Sequence, residues 1–113
     1  ERVQFGRPIA KFQAIRHRFG ELATEIEAAR QLSYHVAGLI NAGHFPAKEI
    51  SMAKLFAARV LCRVADEVLQ FHGGYGYMME YPIQRFWRDS RLTRIGGGTD
   101  EIMLEVISRQ MGL

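Results

Sequence analysis

The 113-residue sequence holds one cysteine, Cys62, so an internal disulfide is excluded and a reducing compartment fits best. No run of apolar residues approaches the length of a membrane span, and the N-terminal end lacks the pattern of a signal peptide. Charge is close to balanced, with 15 Lys and Arg against 12 Asp and Glu. The net +3 suits an anionic ligand but is too small to point to nucleic acid. His17, His35, His44 and His72 share no ligand spacing with one another or with Cys62, which argues against a metal site. Repeats, low-complexity tracts and linkers are also missing. What remains is the composition of an ordinary globular domain, 48% hydrophobic and 24% charged, with length for one core.

Helical periodicity dominates. Phe12, Ile15, Phe19, Leu22, Ile26, Ala29, Leu32, Val36 and Leu39 alternate by threes and fours, which predicts a helix to about Ala42, ~30 residues or ~45 Å long. Gly43 is a natural left-handed terminator, and Pro46 opens a second helix running to about Phe71. That helix is apolar around much of its circumference and reads as buried among several neighbours. Gly73-Gly74 ends it. The segment "GGYGYMMEYP" cannot be regular helix, and Pro82 starts a short one over "PIQRFWRDS". A last helix from about Thr99 turns Ile102, Met103, Val106 and Ile107 inward, with Thr99 or Asp100 as its N-cap. Two long antiparallel helices and a terminal one leave a four-helix bundle one member short. The opening Glu1-Arg2-Val3, with neither Met nor cap, reads as a piece of a longer chain.

Two glycine-rich stretches invite close approach of the backbone to something else. Gly96-Gly97-Gly98 runs into Thr99-Asp100-Glu101, a poised helix start rather than a slack connector. A helix N-terminus can receive an anion, but neither the dinucleotide-fold glycine spacing nor a Walker lysine is present. Gly73, Gly74 and Gly76 interleave with Tyr75 and Tyr77, equally consistent with a helix stop and aromatic packing. Arg85, Arg88, Arg91 and Arg94 recur every three residues around Phe86 and Trp87. Such a spacing winds around a helix, so solvated or ion-paired arginines account for it better than a nucleic-acid face. Cys62 reads as a small core residue, and Glu80 and Glu101 as caps, ion-pair partners or site carboxylates.

In order, "ERVQFGRPIAKFQ", "QFHGGYGYMMEYPIQRFWRD" and "IGGGTDEI" resemble the C-terminal helical domain of the acyl-CoA dehydrogenases across essentially the whole chain, residues 1–113. The resemblance implies an all-α, up-and-down bundle lacking its first helix. It also implies FAD as cofactor, an acyl-CoA substrate, an electron-transferring flavoprotein as electron acceptor and a homo-oligomer, tetramer or dimer. Arg2, Gln4, Phe5 and Gln13 would reach the FAD of a neighbouring subunit. Gln70, Gly73 and Gly74 would serve its adenosine side, and Thr99 and Glu101 the flavin nucleotide. Many family members begin the glycine loop with a glutamate that removes the α-proton, whereas here the position is Gly97, which has no side chain to take a proton. Its N–H is expected to bind the thioester oxygen. Long-chain and isovaleryl-type members share this substitution and carry the base on the preceding helix, roughly seven turns before Glu1. No catalytic side chain is therefore assigned in this chain, which by itself is expected to be inactive. The implied setting is bacterial cytoplasm or mitochondrial matrix, with no nucleic-acid partner and no membrane span. An acyl-CoA oxidase-like domain and a non-catalytic assembly module are the alternatives.

Overall fold

A computed structural model describes residues 2–113. A two-stranded hairpin, β1 (Val3–Gln4) and β2 (Arg7–Pro8), leads through a short 3-10 turn (Ile9–Lys11) into α1 (Gln13–Asn41). Then follow α2 (Ala47–His72), a second 3-10 turn (Gly73–Tyr77), α3 (Ile83–Leu92) and α4 (Asp100–Gln110). The long helices begin and end within a residue of the bounds that periodicity predicts. At the end of α1 the His44 N–H donates to Leu39 O and the Gly43 N–H to Ile40 O, with Gly43 at φ +88°. Those two bonds satisfy otherwise unpaired last-turn carbonyls, and the left-handed residue between them stops the helix.

α2 is the axis of the domain and packs against α1, α3 and α4. It supplies Leu55, Ala58, Val60 and Ala65 to the buried apolar core, and α1 supplies Leu22 and Val36. The alanines let neighbouring backbones come close, which is why a helix so rich in small residues sits in the middle. α1 runs antiparallel to α2. Their margin is laced by Arg18 to Glu67 at 2.7 Å and by Arg63 to Glu21 and Glu25, with the Phe19 and Phe71 rings 4.9 Å apart. α3 turns back along α2, where Trp87 Nε1 donates to Asp66 Oδ1 at 2.9 Å and Cys62 Sγ to Ser90 O at 3.2 Å.

The domain is elongated, 56 × 26 × 25 Å, and leaves much apolar surface uncovered. Phe5, Phe19, Ile26, Ile40 and Phe45 are all exposed. No helix among the described residues is long and apolar enough to cross a membrane. Two expectations need adjustment. Ile102 is exposed rather than inward, since α4 is phased to bury Met103, Val106 and Ile107 partially. A residue one step from Met103 is rotated by about 100°. The short hairpin, invisible to helical periodicity, is the one departure from an all-α fold among the described residues.

Candidate functional site

Two clusters stand out along α2. The first forms where its C-terminal end meets the hairpin. Val3 pairs with Pro8 and Gln4 with Arg7, joined by a two-residue turn at Phe5 (φ +53°) and Gly6 (φ +77°). Two successive left-handed residues match the right-handed twist of the strands, and Gly6 tolerates this where Phe5 is strained. The Phe5 ring is 94% exposed and meets Phe12 only edge-on at 6.2 Å, while the Arg7 guanidinium lies 4.1 Å above Phe12. The strained turn thus holds the Phe5 ring out from the surface of the domain.

Arg2 crosses from the hairpin to α2, where its Nη1 donates to His72 O at 2.9 Å. Its carbonyl accepts from Ile9 N at 3.0 Å, which anchors its backbone as well. Gly73, at φ +60°, ends α2 here, and a Cβ on it would lie 1.8 Å from Arg2 Nη1. The guanidinium thus occupies the room that a side chain would take. Arg2, Gln4, Phe5, Gln70 and Gly73 line one cavity of about 430 Å³, with Phe12, Ile15 and Phe71 among its apolar walls. One cation, two carboxamides and aromatic faces around a single hollow suit a ligand with a flat ring and an anionic group. Gln13, at the start of α1, and Gly74, exposed on the following turn, lie outside that lining.

The second cluster is the glycine loop between α3 and α4. Thr99 is the N-cap of α4: its Oγ1 accepts from Ile102 N at 3.2 Å, and its hydroxyl proton meets no acceptor among the described residues. Asp100, the first helical residue, is only 5% exposed. Its Oδ2 accepts from Arg94 Nη2 at 2.7 Å, Arg94 Nε at 2.9 Å and Arg59 Nε at 3.2 Å. The Arg94 hydrogen bonds hold the Asp100 carboxyl below the ordinary carboxylate range; burial opposes them, and Arg59 adds to them. Lys54 donates to Gly98 O, and Asp100 N donates to Arg94 O at 3.2 Å, so both ends of the loop are tied down. Gly97 (φ +68°) has no atom within 4 Å of where a Cβ would stand, whereas a Cβ on Gly98 (φ +103°) would meet Met103 Cε at 2.5 Å. Glu101 is exposed on the first turn beside this open space.

The clusters are separated along α2. Arg59 and His72 are 13 positions apart, a rise of about 20 Å. Sequence reading assigned no role to Lys54 or Arg59, took Arg94 only as one of a row of solvated or ion-paired arginines, and took Asp100 only as an alternative cap. A carboxylate six residues after an arginine, across three glycines, carries no periodic signal; only the folded loop brings them together. Of the arginine row, Arg94 alone has a carboxylate partner among the described residues, and Arg85, Arg88 and Arg91 are exposed. No cluster of three His, Cys, Asp or Glu side chains that could hold a metal occurs among the described residues.

Comparison with known proteins gives the family of this fold. The family model described as "Acyl-CoA dehydrogenase, C-terminal domain" matches residues 1–112. An acyl-CoA dehydrogenase of Bacillus subtilis is 48% identical over 111 residues, 98% of this chain and 29% of that protein. A crystal structure of acyl-CoA dehydrogenase from Geobacillus kaustophilus superposes with a TM-score of 0.97 at 42% identity, covering 100% of this chain and 30% of that one. A structure described as the FAD complex of PigA superposes with a TM-score of 0.92 at 28% identity, covering 99% and 29%. The chain therefore spans less than a third of the length of the relatives it matches.

Proposed function

The chain belongs to the acyl-CoA dehydrogenase family, as its C-terminal domain, and from that premise we propose that the complete protein carrying it oxidises an acyl-CoA thioester to the 2,3-enoyl-CoA. The residues present fit FAD. The observation that carries the reading is the Arg2 guanidinium lodged in the space a Gly73 side chain would fill, in one cavity with Gln4, Phe5 and Gln70.

FAD, when bound, supplies acceptance of a hydride from the β-carbon. The chain's own residues bind and orient. Arg2 presents a planar fork to the cofactor's diphosphate, which a lysine's point charge would not match. Gln4 and Gln70 offer carboxamides to its polar edges, Phe5 an apolar face, and Gly73 and Gly74 a backbone without obstructing side chains. Gln13 adds a further amide at the start of α1. On the flavin-nucleotide side Thr99 donates its hydroxyl proton, and the Glu101 carboxylate accepts. The Gly97 N–H, in a loop left open where a Gly97 side chain would stand, donates to the thioester oxygen and stabilises negative charge there as the α-proton leaves. The proton goes to a carboxylate contributed by another segment of the complete protein.

The exposed apolar residues of the hairpin and α1 support a homo-oligomer, tetramer or dimer, in which the Arg2–Gln13 stretch serves a neighbour's cofactor. Electrons pass on to an electron-transferring flavoprotein. Bacterial cytoplasm is the setting that suits the single free thiol, with the mitochondrial matrix as alternative.

The test is to purify the complete protein, quantify bound flavin, and add acyl-CoA thioesters without oxygen. Loss of the oxidised-flavin absorbance with matching enoyl-CoA is the expected result. Rapid recovery of that absorbance in air would identify an oxidase-like enzyme instead. Protein that folds and retains no flavin would leave the domain an assembly module and refute the reading.

A further inference from the structure

We propose that Asp100 is a positioning residue for the glycine loop: clasped between Arg94 and Arg59, it fixes the direction of the Gly97 N–H relative to α2. The proposal deepens the functional reading above and rests on its assignment of that N–H to the thioester oxygen.

Three adjacent glycines have the widest choice of backbone conformations and the largest entropy to lose. Packing does not choose among them at Gly97, since nothing lies within 4 Å of its Cβ position. The selection must come from the ends of the loop. At one end Arg94 reaches forward six residues to Asp100, at 2.7 and 2.9 Å. Arg59 of α2 then grips the same Oδ2 at 3.2 Å, while Lys54, also of α2, holds Gly98 O. Charge-assisted bonds of this kind are the stronger class, and a carboxylate only 5% exposed is poorly screened by salt. The loop is thereby referenced to the central helix, which packs against α1, α3 and α4. Without the carboxylate, two guanidinium groups would be left facing one another, so the clasp would open rather than merely slacken.

An oxyanion donor works only if it is already aimed when charge develops. Loss of the clasp should thus lower the saturating rate of flavin reduction while substrate binding and flavin content hold. The experiment compares the complete protein with Asp100→Asn and Arg59→Gln. It reads flavin per chain, the saturating rate of anaerobic bleaching by acyl-CoA, and the acyl-CoA concentration for half-maximal rate. It also reads the charge-transfer absorbance that a bound 3-thiaacyl-CoA anion gives with oxidised flavin, which reports stabilisation of the enolate directly.

Asp100→Asn should lower the saturating rate about 10- to 100-fold, less than the 10²–10³ for deleting an oxyanion donor outright, because the N–H itself remains. The half-saturating concentration should move less than about threefold and the charge-transfer band should weaken, a split that follows from a contact strengthened mainly in the transition state. A folded, flavin-replete Asp100→Asn protein with the parent's saturating rate and charge-transfer band overturns the proposal. Should Asp100→Asn not fold, Arg59→Gln decides, since it removes one clasp from a half-exposed arginine and leaves the Arg94 pair: a lower saturating rate with unchanged flavin supports the proposal, and an unchanged rate overturns it. If the parent itself does not bleach, the functional reading fails and the proposal falls with it. A bleaching parent with an indifferent Asp100 overturns this proposal alone.

Discussion

Replacing Gly73, Gly74 and Gly76 by alanine, one at a time, separates three reasons for a glycine within four residues. A Cβ on Gly76 would stand 2.6 Å from the backbone carbonyl of Leu69 and within 3.2 Å of Leu69 Cγ and His72 Cβ. That carbonyl belongs to the final turns of α2 and cannot swing aside, so the following turn must lift off. Overpacking of this kind costs about 2 kcal/mol. At ~4 °C per kcal/mol, appropriate to a domain of this size, the midpoint of thermal unfolding should fall by about 8 °C. Gly74 has nothing within 4 Å of its Cβ position and no left-handed φ, so alanine there should be neutral or stabilise by up to ~1 kcal/mol, through a less disordered unfolded chain. Gly73 lies between. Its steric obstacle is the end of the Arg2 side chain, which can move, and its conformation at φ +60° and ψ −141°, essentially reserved for glycine, costs another residue about 1–3 kcal/mol. Displacing Arg2 should show chiefly as lost flavin. The assays are thermal unfolding followed by helical circular dichroism, and flavin per chain in the complete protein. If Gly76→Ala unfolds at the parent's temperature, or Gly74→Ala destabilises as much, the steric reasoning is wrong. A Gly74→Ala protein that is stable but poor in flavin would show that the cofactor itself approaches this backbone.

Arg2→Lys, which keeps the charge but loses the fork, should bind flavin almost as poorly as Arg2→Gln; full retention in either variant, by absorbance after desalting, would remove Arg2 from the cofactor site. Because the Asp100 carboxyl titrates below its ordinary value of 3.8, the stability it contributes is fully present above that value. It should drain away as pH falls through the lower folded value. Urea midpoints from pH 5 downward should therefore fall more steeply for the parent than for Asp100→Asn, and parallel curves would count against the clasp. Thr99→Ala removes the side-chain cap of α4 and should cost about 1 kcal/mol in urea unfolding, whereas Thr99→Ser should cost little.

The long helices were legible because burial on one side writes a 3.6-residue rhythm into the sequence, and their ends because Gly43, Pro46 and Gly73 each do something only those residues do well. The hairpin was not. Its strands are two residues each, and the turn puts a phenylalanine where glycine or asparagine is favoured, against local preference. Arg2 meeting His72 is a contact across 70 positions, for which no local pattern exists. Only the family resemblance gathered Arg2, Gln4, Phe5, Gln70 and Gly73 in advance. It also included Gln13 and Gly74, which lie outside the cavity lining. The Arg59–Asp100–Arg94 clasp escaped both routes. Thr99 and Asp100 are each good caps, and which one caps becomes clear only when the other is seen holding two arginines.

α2 acts as a ruler. One end sets the cavity around Arg2 and its middle the glycine loop, and a helix fixes angle together with distance. A single residue inserted between Arg59 and Gln70 would advance one cluster about 1.5 Å and turn it about 100° around the axis relative to the other. The same insertion in the turn between α1 and α2 would disturb neither. Chains that share this architecture should thus keep the interval from loop anchor to cavity constant while their helix-joining turn drifts in length, and an alignment of indels alone would trace the site without consulting any side chain.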